Sequence, residues 1–319
     1  MWILESMEEF FGNWYILLSN LDIEESIFQL GSGVSIRRLD SRISVFDLAA
    51  TGAAGFREWA MLEPFLPGCV SEIETSQDAA VKPGYDTLNR AWLASALLKL
   101  KGYNAHLPLA CSAYSWNVVA GHQERTKWIF KEELKEKGIA SAVNSPRRDL
   151  PPFKGQLLEL HTKFLVPDNA KTTLLEEDAY WIRNNYKTFN SLASESESFR
   201  FALAAAVNWQ YSSDPRVAIA QLWSGIEAVF GISSELVYRI SLLIASLLEP
   251  RGVARKAKFD KVRKLYGVRS KAVHGEELSD DKLTKAMLES FDILSRLLLL
   301  NVEKGRPFTQ DDFEEVIFY

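Results

Sequence analysis

Arg269 and His274 lie five positions apart in a strongly basic segment, and their side chains are suited to chemistry on a phosphodiester. Cleavage of RNA by its own 2′-hydroxyl needs one group that takes the hydroxyl proton and another that protonates the leaving oxygen. It also needs a cation that stabilises the charge developing on the phosphate. Histidine exchanges protons near neutral pH, and the planar fork of arginine can contact two phosphate oxygens. The pair therefore predicts a site for RNA.

The segment around this pair carries most of the positive charge of the chain. From Arg251 to Lys271, nine lysines and arginines face one acidic residue, Asp260, so the segment has a formal charge of +8 in a chain of net charge −5. A concentrated basic face attracts a phosphate backbone, although it can also be a solvated surface or dock on an acidic partner. The residues predicted to contact RNA are Lys261, Arg263, Lys264 and Lys271.

The spacing of the pair constrains how it can form one site. Five positions on an ideal helix correspond to about 140° of rotation, so Arg269 and His274 do not share a narrow stripe. The length of the arginine, a bend at the helix end, or a second copy across a two-fold axis could bring them together. Ser270 lies four residues before His274 and faces the same way.

A carboxylate in an apolar neighbourhood supplies a third part of the candidate site. Glu227 falls between Trp223 and Phe230 on a predicted helix face, where an unpaired charge is costly. We expect a cationic partner for it, either Arg269 or Arg239. Tyr266, three residues before Arg269, is expected to pack beside the arginine or to donate a hydrogen bond.

The elements that must position these residues are helices. After residue 170 the apolar residues recur with helical spacing, and five or six helices are expected. Asp214 and Pro215 are typical of the start of a helix, Gly231 and Gly275 of a helix end, and Ser279 of the cap of a last long helix. The predicted spans are 174–192, 198–210, 215–230, 234–248, 254–274 and a helix from residue 280.

The first half of the chain has a different character. Glycines and prolines interrupt short apolar runs, residues 26–36 predict a hairpin, and residues 86–101 predict a helix that ends at Gly102. Residues 146–152 are rich in proline and predict an exposed connection. The expected fold class is α+β, with a mixed α/β domain over residues 1–169 and an all-α helical domain over residues 170–319.

Three stretches of the second half carry a resemblance to a known family. Leu222–Phe230, Tyr238–Ile240 and Lys264–Gly275 resemble the HEPN superfamily, and within it the Apea-like group, over roughly residues 170–305. The resemblance implies a helical bundle that forms a homodimer and cleaves RNA without a metal, with Arg269 and His274 catalytic. Ser270 stands where the family carries a polar residue, often Asn, Asp or His.

The same resemblance implies a biological setting. Many members act in bacterial antiviral defence or toxin–antitoxin systems, so a regulatory protein or antitoxin is an expected partner. The mixed N-terminal half would then be a sensor or regulatory region. The alternative is a non-catalytic module that binds RNA or forms dimers.

Other candidate sites have weaker support. Glu133-Leu134-Lys135 matches part of a metal-dependent nuclease pattern but lies in a charge-rich segment, and Cys111 with His122 could in principle form a thiol site. We expect His106 and His161 to be structural. The aromatic residues of the N-terminus favour a core or an interface over base stacking, and they are Trp2, Phe10, Phe11, Trp14 and Tyr15.

Composition sets the remaining expectations. The apolar runs are far shorter than the roughly 18 residues of a membrane span, and Glu5, Glu8 and Glu9 stand where a signal peptide would be basic. Two cysteines form neither a disulfide framework nor a metal-ligand spacing. We expect a cytoplasmic protein with no membrane partner, no cofactor and no metal, since a glycine-rich phosphate loop is also lacking from the sequence.

Overall fold

The computed structural model describes residues 13–45, 48, 59–76, 85–120, 155–157, 164–232 and 236–319. The sequence predictions for residues 133–135 and 146–152, for His122 and His161, and for the aromatic residues at positions 2, 10 and 11 lie outside the described residues.

The structure describes eight strands between residues 14 and 174. They are β1 (Trp14–Ser19), β2 (Asp22–Ile23), β3 (Ile27–Gly31), β4 (Val34–Arg38), β5 (Cys69–Thr75), β6 (Leu107–Ser112), β7 (Gly155–Leu157) and β8 (Thr173–Leu174). Six of them form an antiparallel sheet in the order β3-β4-β5-β1-β6-β7, and β2 pairs with β8 in parallel. The predicted hairpin is confirmed as β3 and β4, with Gly33 at φ +64° in its turn.

The sheet is centred on β1, whose residues pair on both sides. Ile16 lies opposite Ile73 of β5 and opposite Cys111 of β6, and Leu17 and Leu18 are fully buried. Two helices accompany the sheet in sequence, α1 (Tyr85–Leu100) and α2 (Trp116–Ala120). The first confirms the predicted helix, and Gly102 follows it with φ +96°.

The second half of the chain is largely helical, as predicted, so the mixed α and β character is confirmed. Its described helices are α3 (Glu176–Glu195), α4 (Glu197–Asn208), α5 (Pro215–Phe230), α6 (Leu236–Leu248), α7 (Val253–Val273), α8 (Asp280–Lys304) and α9 (Gln310–Phe318). The predicted caps of α5 are also confirmed. The Asp214 side chain accepts a hydrogen bond from the Arg216 amide, and Gly231 ends the helix at φ +61°.

Helix α9 lies beyond the last helix that the sequence predicted. Gly305 ends α8 in a left-handed conformation, and Thr309 opens a new helix through a capping box with Asp312. Arg306 and Lys304 both bind the buried Asp312 carboxylate, which holds its pKa well below the usual range. Phe313 then packs on Phe230 of α5, with ring centroids 5.6 Å apart.

By packing, the chain divides into two compact units that interleave along the sequence. The first comprises the described parts of Met1–Ser95, Ala105–Leu160 and Lys171–Arg183. The second comprises the described parts of Ala96–Asn104, His161–Ala170 and Asn184–Tyr319. The candidate site residues all belong to the second unit.

Helix α5 forms the centre of the second unit. Trp223 and Ile226 are fully buried, and Gly225 allows a close approach of two neighbours. A Cβ at Gly225 would lie 2.9 Å from both Ala205 of α4 and Leu294 of α8, which is closer than packed carbon atoms allow. Helix α5 is therefore fixed within the unit, and its residues Arg216, Trp223 and Glu227 contact α7. Among the described residues, no helix is both long and apolar enough to cross a membrane.

Candidate functional site

His274 lies exposed at the C-terminal end of α7, in a defined turn. The amide of Gly275 donates to the carbonyl of Ala272 at 3.3 Å, and the amide of Glu276 donates to the carbonyl of Lys271 at 3.0 Å. These two bonds form a Schellman motif, in which the residue after the cap is left-handed. Gly275 adopts φ +76°, as the sequence predicted. The imidazole is thus attached to an ordered helix end and faces solvent.

Arg216 fixes this turn from the first turn of α5. Its Nη1 donates to the backbone oxygen of Glu276 at 2.9 Å and to that of Ala272 at 3.4 Å. Orphan carbonyls at a helix end accept such bonds readily. Arg216 is not predicted from the sequence, because a side chain that bonds to a distant backbone oxygen leaves no local pattern.

Arg269 lies on the side of α7 that faces α5. Its Nη2 donates to Oε1 of Glu227 at 3.2 Å, and the two side chains are 22% and 23% exposed. The expected ion pair is therefore present, and its cation is Arg269 rather than Arg239. Such a partly buried pair orders both side chains more than an exposed pair would.

Aromatic rings complete the surroundings of Arg269. Its guanidinium carbon lies 5.4 Å from the centroid of the Tyr266 ring, and the Tyr266 ring meets Trp223 edge to face at 5.1 Å. The Nε of Arg269 is buried and has no hydrogen-bond acceptor among the described residues. Since Glu227 uses one Nη2 donor, the guanidinium keeps donors that an added anion could engage.

Helical spacing places most of the predicted RNA contacts on one exposed face with His274. Arg263, Lys264 and Lys271 are exposed and lie within about a quarter turn of the direction of His274. Lys271 also contacts Glu276 at 3.2 Å, near that histidine. Lys261 is instead turned towards α8, where its Nζ lies 3.1 Å from Glu289.

Two further arginines of the basic segment have structural partners. Arg251 donates to the backbone oxygen of Ile317 at 2.6 Å, and Arg255 donates to that of Val316 at 2.9 Å. Both oxygens belong to the last turn of α9, so these cations satisfy carbonyls that the helix leaves unpaired. The charge of the basic segment is therefore divided between an exposed face and a contact with α9.

An aromatic pair flanks the exposed basic face. The rings of Tyr238 and Phe259 meet edge to face at 5.4 Å, and Tyr238 is 60% exposed. Lys256 and Arg263 each lie 5.6 Å from the centroid of the Phe259 ring. Cations interleaved with aromatic rings at spacings of three and four residues were a readable signal in the sequence, and the role of Phe259 in it was overlooked.

Arg269 and His274 are not brought together within one chain. Arg269 points to α5, whereas the His274 side chain has no hydrogen bond or ion pair among the described residues. Ser270 is half-buried, and its backbone oxygen accepts from the His274 amide at 3.0 Å. The described residues also hold no cluster of three or more His, Cys, Asp or Glu that could bind a metal.

The minor candidates of the first unit lie in its interior. His106 is fully buried, with Nε2 2.7 Å from the Ser95 hydroxyl, as expected of a structural histidine. Cys111 is buried in β6.

Comparisons of the chain with known protein families, with curated proteins and with solved structures found no match. The side chains of α7 and the residues that hold them therefore define the candidate site.

Proposed function

We propose that this protein is an Apea-like HEPN endoribonuclease in which Arg269 and His274 of two copies form one RNA-cleaving site. The observation that carries the proposal is the position of His274, exposed at the ordered end of α7 and on the same face as Arg263, Lys264 and Lys271. An RNA strand drawn to this face would meet an imidazole at its end.

The proposed reaction breaks and forms one bond to phosphorus. One His274 takes the proton of the 2′-hydroxyl, and the 2′-oxygen attacks the adjacent phosphorus. The bond from phosphorus to the 5′-oxygen breaks, and a second proton donor, the His274 of the other copy, protonates that oxygen. The products are a 2′,3′-cyclic phosphate and a 5′-hydroxyl, and the step needs no metal because the protein supplies both proton transfers.

Arg269 is assigned to the charge that develops on the phosphate. Its bond to Glu227 and its contact with the Tyr266 ring hold the guanidinium in one pose, while its remaining Nη donors are left for oxygen atoms of the substrate. Glu227 and Tyr266 are positioning residues in this scheme. Ser270 contributes to the face beside His274 without a direct step.

The directions of Arg269 and His274 on α7 are the reason for proposing a second copy of the chain in the active site. Arg269 faces α5 and His274 faces solvent, so one chain offers the two groups in different directions. A two-fold axis near the end of α7 would place the His274 of one chain near that of its partner, and an isologous contact repeats each residue in this way. We therefore propose a homodimer as the active form.

The test is cleavage of a labelled single-stranded RNA by the full chain in EDTA. We expect His274→Ala and Arg269→Ala each to lower the rate by at least about 100-fold, as removal of a proton-transfer or charge-stabilising group does. Lys285→Ala, which removes an exposed charge from α8, is the matched control. Arg269→Lys distinguishes lost charge from lost structure, because it keeps a cation beside Glu227. Wild-type rates in both alanine variants would refute the assignment.

One observation favours a second function, a non-catalytic RNA-binding or dimerisation module. The Arg269 guanidinium is already engaged by Glu227 and is less than a quarter exposed. If this pair does not open, the basic face binds RNA without cleaving it. The same assay then gives retained RNA affinity, no product in wild type, and a steep salt dependence of binding.

The biological role is part of the same proposal. We propose a cytoplasmic protein of bacterial antiviral defence or of a toxin–antitoxin pair, restrained by a regulatory protein or antitoxin. The sheet-containing unit would serve as the sensor or regulatory part. Its test is growth arrest on expression of the wild-type chain that His274→Ala relieves.

A further inference from the structure

A groove of about 630 Å³ lies within the second unit, on the side of α7 that faces α8. Its walls come from the end of α1 and the turn after it, from residues 167–169, and from α7 and α8. This volume lies within the range of small-molecule sites, roughly 300–1,000 Å³. The proposed chemistry at His274 does not use the groove.

Four cationic side chains line the groove together with three carboxylates, and they are Lys101, Lys258, Lys261 and Arg296 with Asp168, Glu289 and Asp292. Arg296 donates to the backbone oxygen of Leu248 at 3.2 Å, and Lys261 lies 3.1 Å from Glu289. Lys258 differs from both, because it is half-buried and makes no hydrogen bond or ion pair among the described residues. Burial lowers its pKa, and the positive charge of Arg296 lowers it further.

The four cations of the lining exceed its three carboxylates by one, and Lys258 makes no ion pair among the described residues. Asp292 lies near enough to oppose the shift in Lys258, but the net direction is still towards the neutral amine. A bound phosphate beside Lys258 and Arg296 would supply the missing negative charge in a partly desolvated place. The observed cations thus fit an oxyanion.

Asn104 and Asp292 contribute acceptors to the lining of the groove. Asn104 is 4% exposed, and its Oδ1 is buried with no donor among the described residues. The backbone oxygen of Asn104 accepts from Gln210 at 2.6 Å, which fixes the residue. A buried amide oxygen without a partner is costly, so it calls for a donor. Asp292 adds a carboxylate to the same lining.

We propose that this groove binds a small phosphorylated ligand that also carries hydroxyl donors, such as a sugar phosphate. The phosphate is bound by Lys258 and Arg296, with Lys261 beside them. The hydroxyl groups donate to Asn104 and Asp292, and Phe291 provides an apolar surface. The site is independent of the proposed RNA cleavage.

The test is calorimetric titration of the full chain with ribose 5-phosphate, inorganic phosphate and ribose. We expect ribose 5-phosphate to bind with a Kd below about 1 mM, inorganic phosphate to bind more weakly and ribose not to bind detectably. Lys258→Met keeps the apolar stem of the side chain and should weaken binding by roughly tenfold.

Two controls separate this site from general surface charge and from the RNA site. Lys282→Met removes an exposed charge elsewhere on α8 and should leave the Kd unchanged, and so should His274→Ala. Absence of ribose 5-phosphate binding, equal binding by ribose, or a wild-type Kd in Lys258→Met would overturn the proposal. None of these outcomes bears on whether the chain cleaves RNA.

Discussion

Glu227 accepts a hydrogen bond from Arg269 across 42 positions of sequence, at 3.2 Å, and this contact joins the central helix α5 to the basic helix α7. Both side chains are about a fifth exposed, so water screens the pair in part. The bond matters less for total stability than for the direction of the guanidinium. In the proposed reaction, Arg269 contacts a phosphate only from the position in which Glu227 and Tyr266 hold its guanidinium.

We expect Glu227→Gln to lower RNA cleavage by roughly tenfold while costing about 1 kcal/mol of stability or less, since a neutral acceptor keeps the geometry but weakens the bond. Glu227→Ala should lower the rate further. The measurement is the cleavage rate together with urea unfolding. A double-mutant cycle with Arg269→Lys supplies the control, and additive effects on the rate would contradict a positioning role.

Arg216 offers a second way to disturb the site from outside it. Replacing Arg216 with Met removes the donor to the Glu276 and Ala272 carbonyls and should loosen the turn that carries His274. We expect faster hydrogen exchange at the amides of Gly275 and Glu276, with a loss of about 1 kcal/mol or less. Exchange should be unchanged in Arg183→Met, which alters an exposed arginine of α3. Wild-type exchange in Arg216→Met would mean that the bond does not order the turn.

The aromatic pair beside the basic face predicts a preference for single strands. Phe259→Leu and Tyr238→Leu should each weaken binding of single-stranded RNA by roughly tenfold, because base stacking contributes about 1–3 kcal/mol per base. Neither change should alter the slope of log affinity against log salt. Lys264→Ala should instead reduce the magnitude of that slope by about 1, the value expected for one lost phosphate contact, since it removes a charge and no ring. An unchanged affinity for single strands in both leucine variants would exclude stacking on this pair.

Local signals predicted much of the frame that holds the site. The caps of α5 and the left-handed Gly275 follow from short-range spacing, and each is present. The apolar neighbours of Glu227 predicted a cationic partner, but they did not decide between Arg269 and Arg239. The direction of Lys261 could also have been read from helical periodicity, because it falls near the apolar side of α7. Contacts between a side chain and a distant backbone could not be read in this way.

Arg216 and Arg251 illustrate that limit. Each bonds to a carbonyl more than 50 positions away, and the acceptor is an atom that every residue has. The residue types along the sequence therefore carry no information about which backbone oxygen such a side chain will bind. The groove beside Lys258 is a similar case, since its lining comes from segments that are far apart in the chain.

The buried Glu72 of β5 predicts that the free energy of unfolding of the first unit depends on pH below neutrality. Burial raises its pKa to about 7, although Ser115 and the Trp116 amide donate to its oxygens. The folded state thus holds the proton more tightly than the unfolded state, and stability falls as pH rises from about 4.5 to about 7. We expect Glu72→Gln to remove up to about 3 kcal/mol of this fall. Urea unfolding at pH 5 and pH 8 measures it, with the exposed Glu63→Gln as control.

Lys99 predicts that the free energy of unfolding of the second unit rises with pH above about pH 7. The side chain is 1% exposed, it donates to Gln210 Oε1 and to the Tyr211 hydroxyl at 3.0 Å each, and burial lowers its pKa to about 7. The unfolded chain therefore binds more protons between pH 7 and pH 10.5, so stability rises with pH there by roughly 1 kcal/mol per unit.

The measurement for Lys99 belongs between pH 7 and pH 9.5, because burial raises the pKa of Tyr211 to about 12 and that group opposes the trend above pH 10. Lys99→Met should flatten the dependence in this window while it destabilises the unit at all pH values, since Gln210 and Tyr211 lose a donor. Lys187→Met, an exposed lysine of α3 in the same unit, should keep the wild-type slope. If Lys99→Met also keeps that slope, the amine is charged in the folded protein across this range, and its bonds to Gln210 and Tyr211 compensate for its burial.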